Sequence, residues 1–396
     1  MKNKAPTKNR GALSNSEGRF ETLSYENFDD GWELEEDDLP PLETFLLPEA
    51  SKSVITRNDS PDLGFEQSIN PYRGCEHGCI YCYARPSHAY MNLSPGLDFE
   101  TKIFYKVNAA ALLREELSKP RYTCKPIVLG ANTDPYQPAE SKLKITRSIL
   151  EVLSEYRHPV IIITKNSLVE RDSDILEDMA KDNLIRVAVS ITSLSPKLKY
   201  IMEPRTSTPS ARLKVVKHLA EKNIPVRVMV APVIPMINDV EIEKILQGAS
   251  EAGARHASYV LIRLPYEVKD LFKEWLATHF PQRAEHIMSL IRQMRGGKEY
   301  DATFGKRMRG EGEFANLIET RFRLACKRFN LNTHSLPELN SEKFRKNKKN
   351  NLTDAIRYVG GEFLMAKIRK IKRLTLTLSA VELIPLSVAN SSGKDA

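Results

Sequence analysis

The 396-residue chain has no long apolar run and only five cysteines. The nearest approach to a membrane span, residues 374–389, is too short and is interrupted by Glu382, so no transmembrane helix is expected. Five cysteines in a long chain without a signal-peptide pattern do not indicate a disulfide framework. The sequence also lacks a second C-x2-C pair and any H-x3-H pair, which structural zinc sites commonly use. We therefore expect a cytoplasmic protein without disulfides.

Charge is unevenly distributed along the chain. Residues 1–66 hold 7 basic and 15 acidic residues (net −8), residues 341–396 hold 12 and 5 (net +7), and the total of +8 leaves +9 on residues 67–340. A basic body suits a phosphate-bearing partner such as nucleic acid, although solubility alone also explains it. Residues 1–53, with seven acids in the ten positions 29–38, are predicted to be a disordered arm. The basic residues 333–396 are predicted to be a poorly ordered tail.

The middle of the chain alternates short β-branched runs with helical patterns. Strands are predicted at 102–107, 126–130, 160–164, 186–191, 226–230 and 258–264, and helices at 109–117, 145–156, 174–181, 208–221, 240–252, 269–277, 283–295 and 313–328. Near-continuous apolar strands separated by helices indicate an α/β fold with a parallel sheet covered on both faces.

Three of the cysteines lie in one short loop. The loop has C-x3-C-x2-C spacing, formed by Cys75, Cys79 and Cys82, and is rich in glycine and aromatic residues. Thiolates are soft ligands that select iron–sulfur clusters, zinc or copper(I). A [4Fe–4S] cluster has four irons, and ferredoxin-type sites bind all four through cysteine. Three thiolates would leave one iron open to a substrate or cofactor, so the loop is a candidate reaction centre.

This loop, with Tyr81 just before the third cysteine, resembles the cluster loop of radical S-adenosylmethionine (SAM) enzymes. The flanking sequence, over about residues 54–332, is similar to the branch related to spore photoproduct lyase. The resemblance implies a [4Fe–4S] cluster on the three cysteines, with the amino and carboxylate groups of SAM chelating the open iron. It further implies that reduction cleaves SAM to methionine and a 5′-deoxyadenosyl radical.

The resemblance also implies a fold and partners. The fold is a partial (β/α)6 TIM-like barrel with an N-terminal cluster loop, spanning 54–265, followed by a C-terminal helical extension over 266–332. A low-potential electron donor, flavodoxin- or ferredoxin-like, is expected because the chain has no second cluster motif. A nucleic-acid substrate is a further expectation, and we expect a monomer.

In such barrels the active groups gather at the carboxyl ends of the strands. The second predicted strand leads into Asn132, Thr133 and Asp134, and the resemblance implies that residues at this strand end hold the amino group of SAM. An Asx-type turn explains the same residues. Lys165 ends the third strand and could reach the SAM carboxylate, or it could be a surface lysine. Tyr81 is counted as a cofactor contact through its place in the loop.

The fourth predicted strand ends at Ser190 and Thr192, which share one face of the strand and could bond the ribose of SAM. Arg205 follows and could bind a carboxylate through its guanidinium fork, or it could form an ion pair within its own loop. No catalytic residue is assigned.

Two observations keep other functions open. Spore photoproduct lyase uses an additional cysteine as a hydrogen-atom donor, and the matching position here is Asn132, so thymine-dimer repair is not implied. A zinc-stabilised nucleic-acid-binding protein without radical chemistry is the alternative, with His77 or His88 as a fourth ligand. An iron–sulfur electron carrier would need a fourth protein ligand, which the sequence does not offer.

Overall fold

A computed structural model describes residues 9–20 and 42–346 of the chain. The strands in these ranges are β1 (Phe45–Glu49), β2 (Ile55–Arg57), β3 (Gln67–Ile69), β4 (Tyr72–Arg73), β5 (Lys102–Lys106), β6 (Ile127–Leu129), β7 (Val160–Thr164), β8 (Ile185–Ser190), β9 (Val226–Val233) and β10 (His256–Leu261). The helices are α1 (Asp98–Thr101), α2 (Ala109–Ser118), α3 (Glu140–Leu143), α4 (Ile145–Glu155), α5 (Ser173–Lys181), α6 (Pro196–Met202), α7 (Pro209–Glu221), α8 (Ile242–Glu251), α9 (Val268–His279), α10 (Ala284–Gln293) and α11 (Glu313–Arg328).

The main sheet has the strand order β10-β9-β8-β7-β6-β3-β2. Its neighbours from β3 through β10 pair in parallel, and β2 adds an antiparallel strand at one edge. The two edges, β10 and β2, do not pair with each other in the described part of the chain, so the sheet is an open barrel. Six parallel strands alternating with helices confirm the predicted partial barrel.

The first predicted strand is present, but its expected place in the parallel sheet is wrong, although the number of parallel strands is right. Residues 102–106 form β5, which belongs to a separate three-stranded sheet of order β1-β5-β4. The first parallel strand is β3, a three-residue segment just before the cysteine loop. Its Gln67 is fully buried and accepts a hydrogen bond from the Tyr122 hydroxyl at 2.8 Å. A strand this short, with two polar residues among three, has no apolar run that a pattern could detect.

The helices lie close to their predicted positions. Thr208 caps α7, accepting a hydrogen bond from the Ala211 amide at 3.3 Å, and Pro209 occupies the first turn. Helices α9, α10 and α11 form the predicted helical extension. The buried Trp275 of α9 donates from Nε1 to the Ile201 carbonyl at 2.9 Å, which joins the extension to the barrel. No helix in residues 9–20 or 42–346 is both long and apolar enough to cross a bilayer.

Both chain ends depart from the expected disorder where the structure describes them. Ala12 is fully buried, and residues 45–49 form β1, paired in parallel with β5. At the other end, Phe344 packs against the rings of Tyr122, Tyr156 and His158. These parts are folded because they carry apolar side chains that meet the core. The acidic run 29–38 and the basic residues 347–396 lie outside the described residues.

Candidate cluster and cofactor site

The cysteine loop follows β4 and is held in a tight conformation by glycine. Gly74 and Gly78 have positive φ values of 80° and 64°, which other residues adopt at a cost. A Cβ atom on Gly78 would also lie 2.7 Å from a carboxylate oxygen of Glu100. The Cys75 amide donates to the Phe99 carbonyl at 2.9 Å, so the loop is bonded to the helix that carries Glu100.

The three cysteines of the loop are free thiols that lie close enough to interact electrostatically. Cys75 and Cys79 are buried, and Cys82 is partly buried. Burial raises the pKa of Cys79 to about 12 and raises the pKa of Cys75 and Cys82 as well. Buried thiols of high pKa are poor nucleophiles, whereas a bound metal deprotonates a thiol ligand outright. The donor set therefore fits metal ligation better than nucleophilic catalysis.

Of the two histidines weighed as a fourth zinc ligand, His77 has partners at both ring nitrogens, whereas Nδ1 of His88 is buried without a hydrogen-bond partner. His77 Nδ1 lies 3.4 Å from Asp134 Oδ2, and its Nε2 lies 3.1 Å from Asn166 Nδ2. His88 Nε2 lies 3.0 Å from the Lys102 carbonyl. Among the described residues, no three Cys, His, Asp or Glu side chains converge on one metal ion. An iron–sulfur cluster requires no such convergence, because each thiolate binds a different iron.

Gln137, which sequence reasoning missed, braces the loop on both sides of Cys75. Its Nε2 donates to the Gly74 carbonyl at 3.2 Å, and its Oε1 accepts from the Glu76 amide at 2.9 Å. The side chain is fully buried, so these two bonds satisfy it away from water. Gln137 thereby positions the first cysteine of the loop.

A buried ion pair supports the second half of the loop. Arg85 donates from Nε to the Cys79 carbonyl at 2.9 Å and from Nη2 to Glu100 Oε1 at 2.5 Å, and both side chains of the pair are fully buried. The Glu100 carboxylate also accepts hydrogen bonds from the backbone amides of Gly11 and Ala12, at 3.0 and 2.9 Å. The N-terminal segment 9–20 is thus joined, through Glu100, to the residues that support the loop. The sequence does not predict this contact, because the segment lies far from the loop in the chain.

Replacing Gly11 by alanine should disturb the cysteine loop. A Cβ at this position would lie 1.8 Å from the Gly78 carbonyl oxygen, so one of the two backbones must move. We expect a loss of about 1–3 kcal/mol of unfolding free energy and a lower iron content after reconstitution. Urea denaturation and iron analysis measure the two effects. Gly64→Ala is the matched control, because nothing lies within 4 Å of its added Cβ; equal behaviour of the two variants would refute the contact.

Glu203 connects the cysteine loop to the end of β8. Its buried carboxylate accepts hydrogen bonds from the hydroxyls of Tyr81 and Thr192, and it pairs with the guanidinium of Arg212. Burial alone would raise the pKa of Glu203, but the Arg212 charge and these hydrogen bonds outweigh burial and lower the pKa to about 2. Tyr81 and Thr192 were predicted as cofactor contacts, and the structure shows their hydroxyls bonded to Glu203.

Asp134 joins the ends of two neighbouring strands to the loop. Its Oδ1 accepts from the Thr164 hydroxyl at 2.7 Å, and its Oδ2 accepts from the Lys165 amide at 2.7 Å and lies 3.4 Å from His77 Nδ1. Although burial opposes ionisation, the His77 and hydrogen-bond contributions lower the pKa of Asp134. Its Oδ1 also accepts from the Tyr136 amide at 2.9 Å, which is the bond that an Asx-type turn predicts, so the carboxylate already has protein partners.

The neighbours of Asp134 differ in their availability to a ligand. The Thr133 hydroxyl donates to the Tyr72 carbonyl at 2.8 Å and is buried. The Asn132 amide nitrogen of the backbone donates to Asn70 Oδ1 at 3.0 Å, whereas its side chain is exposed. Of the three residues predicted at this strand end, Asn132 alone has a side chain open to a cofactor.

Lys165 is brought to the cysteine loop. Its Nζ lies 5.8 Å from the Tyr81 ring centroid. Its positive charge helps to lower the pKa of Glu203 and opposes the rise that burial causes in the pKa of Cys79 and Cys82. A cation in this position faces the loop instead of solvent. It is the predicted site residue that the structure places best for contact with an anionic cofactor group.

The remaining predicted residues lie at the margin of the site. Ser190 is buried at the end of β8, and its carbonyl accepts from Arg212 Nη1 at 3.0 Å. Arg205 Nη2 lies 2.9 Å from Glu76 Oε1, and its backbone amide donates to the His77 carbonyl at 3.3 Å. Arg205 thus forms an ion pair, but its partner lies in the cysteine loop and not in its own loop as the alternative supposed.

An open parallel sheet with a three-cysteine loop at its carboxyl edge defines a class of enzymes. Residues 69–249 match the family model of the radical SAM superfamily. The chain is 36% identical over 233 residues to an uncharacterised protein of Mycobacterium tuberculosis, covering 58% of this chain and 68% of that protein. It is 28% identical over 224 residues to an uncharacterised protein of Methanocaldococcus jannaschii, covering 57% and 80%. The chain belongs to the radical SAM superfamily and is an enzyme of that class.

Solved structures agree with this fold. A cysteine variant of spore photoproduct lyase superposes with a TM-score of 0.52 at 17% identity, covering 72% of this chain and 79% of the other. A second variant of that enzyme, with bound AdoMet and dinucleoside spore photoproduct, gives a TM-score of 0.51 at 18% identity over the same shares. At this identity the likeness shows the fold.

Proposed function

We propose that Cys75, Cys79 and Cys82 bind a [4Fe–4S] cluster whose open iron holds SAM. When bound there, the reduced cluster and SAM supply a 5′-deoxyadenosyl radical that abstracts hydrogen from a substrate at the open side of the barrel. The observation that carries this proposal is the grouping of three free thiols, two buried and one partly buried, at the carboxyl edge of the parallel sheet. Family membership supports the same chemistry.

The chain's own residues would bind and shield the cofactor. The cationic Lys165 lies beside the loop and suits the carboxylate of SAM. Asn132, whose side chain is exposed at the end of the second parallel strand, suits the amino group. Tyr81 and Thr192, both bonded to Glu203, are proposed as packing contacts of the cofactor. Ser190 and Arg205 are also proposed as contacts of the cofactor.

The substrate and partners are further parts of the proposal. We infer a nucleic-acid substrate from the basic body of the chain and from the fold shared with spore photoproduct lyase. A flavodoxin- or ferredoxin-like donor would reduce the cluster, because no second cluster motif occurs in the sequence. We propose a cytoplasmic monomer.

Anaerobic reconstitution tests the function directly. The protein is loaded with iron and sulfide, reduced with dithionite, and incubated with SAM, and 5′-deoxyadenosine is then measured. We expect about four irons for each chain and formation of 5′-deoxyadenosine. A colourless protein that binds one zinc ion and forms no 5′-deoxyadenosine would instead support the zinc-stabilised alternative.

Replacing Lys165 by methionine should weaken SAM binding without removing the cluster. A hydrogen bond to a charged group contributes about 1.5–3 kcal/mol, so a loss of roughly tenfold to a hundredfold in SAM affinity is expected. Equilibrium dialysis with SAM gives the affinity, and iron analysis shows whether the cluster is retained. Lys181→Met removes an exposed lysine, 70% accessible on α5, and should change neither value. Unaltered SAM affinity in Lys165→Met would contradict the role.

A further inference from the structure

Arg263 lies where the substrate would enter, beside the cysteine loop. It follows β10, the last parallel strand, by two residues, and its guanidinium carbon is 4.8 Å from the Tyr83 ring centroid. Tyr83 comes directly after Cys82, and its hydroxyl donates to the Ala131 carbonyl beyond β6. The Tyr83 side chain is 42% exposed. The stacked pair therefore links the cluster loop to the open edge of the sheet and remains accessible.

The guanidinium of Arg263 has no anionic partner in the described part of the chain. Its Nε is buried without a hydrogen-bond acceptor, and its Nη1 contacts the sulfur of Met308 at 3.3 Å. A buried donor without an acceptor is costly, and such groups are rare in native proteins. An acceptor supplied by a ligand would remove that cost.

Two neighbouring arginines have oxygen acceptors in the protein, although Nε of Arg295, like Nε of Arg263, is buried without one. Arg307 forms a two-point ion pair with Asp62, with Nε–Oδ2 at 2.8 Å and Nη2–Oδ1 at 2.5 Å. Arg295 donates to the Ile262 and Lys306 carbonyls at 2.6 and 2.9 Å. Arg263 differs from both because no N–H group of its guanidinium donates to an oxygen in the described residues.

The same three arginines concentrate positive charge at the opening. Burial, and next the charge of Arg263, lower the pKa of Arg295 to about 10. The charges of Arg263 and Arg307 both act on Tyr83. Of these three arginines, only Arg307 forms an ion pair with a carboxylate in the described residues. Like charges held together with little compensation favour binding of an anion, and the effect is strengthened in partly desolvated surroundings.

We propose that Arg263 binds a phosphate group of the substrate and holds it against Tyr83, next to the cluster loop. Arginine binds phosphate oxygens through two parallel N–H donors, and the aromatic ring offers a surface on which a base can stack. The inference rests on the proposed function and narrows its substrate to a phosphate-bearing molecule. Nucleic acid is the source that we favour, and a small phosphorylated metabolite would present the same group.

Binding measurements at several salt concentrations test this role. A fluorescein-labelled single-stranded DNA of 12 nucleotides is titrated with the full-length protein, and pyrophosphate binding is measured separately by calorimetry. We expect Arg263→Gln to weaken DNA binding about tenfold and to reduce the slope of log K against log salt by about 0.7, the value for one phosphate contact on a single strand. Arg263→Lys should keep most of the salt slope and lose part of the affinity.

The control removes the same charge elsewhere. Arg309→Gln changes an arginine that is 69% exposed and lies 3.5 Å from Glu319, and it should alter DNA affinity less than twofold. If Arg263→Gln weakens pyrophosphate binding alone, the phosphate comes from a small molecule. If it weakens neither ligand more than Arg309→Gln does, the inference is wrong.

The proposed function is assessed separately from this inference. Formation of 5′-deoxyadenosine from SAM is measured in the wild-type protein and in Arg309→Gln, which leaves the cysteines, Lys165 and Arg263 unchanged and should form it at the wild-type level. Absence of 5′-deoxyadenosine in the wild-type protein would refute the radical chemistry, whereas the binding data on Arg263 would stand on their own.

Discussion

Replacing Cys75 by alanine is expected to abolish both cluster assembly and the formation of 5′-deoxyadenosine. Each thiolate would bind a different iron, so its loss leaves a second iron without a protein ligand. No other cysteine can substitute, because Cys124 and Cys326 lie outside the loop and Cys326 is buried on α11. Iron and sulfide analysis after anaerobic reconstitution, together with the 5′-deoxyadenosine assay, measures the effect.

The control for this prediction is a cysteine outside the loop. Cys326→Ala should lower thermal stability modestly, since it removes a buried side chain, while iron content and 5′-deoxyadenosine formation stay at the wild-type level. Equal loss in both variants would mean that the Cys75 result reflects misfolding. Retention of a full cluster in Cys75→Ala would remove that cysteine from the ligand set.

The parts of the fold that sequence reasoning predicted are those with a local signal. The run of β-branched residues at 160–164 forms a buried parallel strand, and the Thr208-Pro209 pair begins a helix where expected. The cysteine spacing is likewise local, since the three cysteines lie within eight residues. Such features depend on neighbours in the chain, which a sequence shows directly.

The parts that were missed depend on contacts between distant residues. Tyr81 and Glu203 are separated by 122 positions, and Gly11 and Glu100 by 89. The residues at the strand ends were identified as polar groups near the site, but their partners were not predictable. Asp134 illustrates the difference, because its carboxylate is shared among four protein groups. A pattern can place a polar residue at an edge, whereas its hydrogen bonds depend on the packed structure.

Replacing Arg212 by methionine should have the largest effect on stability of any single change in the barrel. Arg212 is buried and pairs with Glu203, and it also donates to the carbonyls of Ser190 and Ser207, each at 3.0 Å. Removing one partner of a buried ion pair leaves an uncompensated charge and costs about 3–5 kcal/mol. Because Glu203 also binds the Tyr81 hydroxyl, the loop should loosen and reconstituted iron content should fall.

The pH dependence of this loss identifies its cause. The pKa of Glu203 is lowered to about 2 in the folded wild-type protein, below its unfolded value, so its ionised form stabilises the fold. That contribution is fully present above the unfolded pKa and is lost as the pH falls towards 2. In Arg212→Met the pKa of Glu203 should rise, because its main counter-charge is gone and burial remains. The stability difference between wild type and variant should therefore be largest above the raised pKa of Glu203 in the variant, and it should shrink as the pH falls through that pKa and on towards 2.

Urea denaturation at pH 7 and pH 4 measures this difference. Arg292→Met is the matched control, because Arg292 forms its ion pair with Glu285, which is 84% exposed, and the expected cost is about 0–1 kcal/mol at both pH values. A cost in Arg212→Met no larger than in the control would show that the pair with Glu203 does not support the barrel. A deficit that grows on acidification would mean that lost packing or lost carbonyl bonds, and not the uncompensated carboxylate, dominate the effect. A deficit that shrinks would assign it to Glu203 and, through Tyr81, link the stability of the β8 end to the cysteine loop.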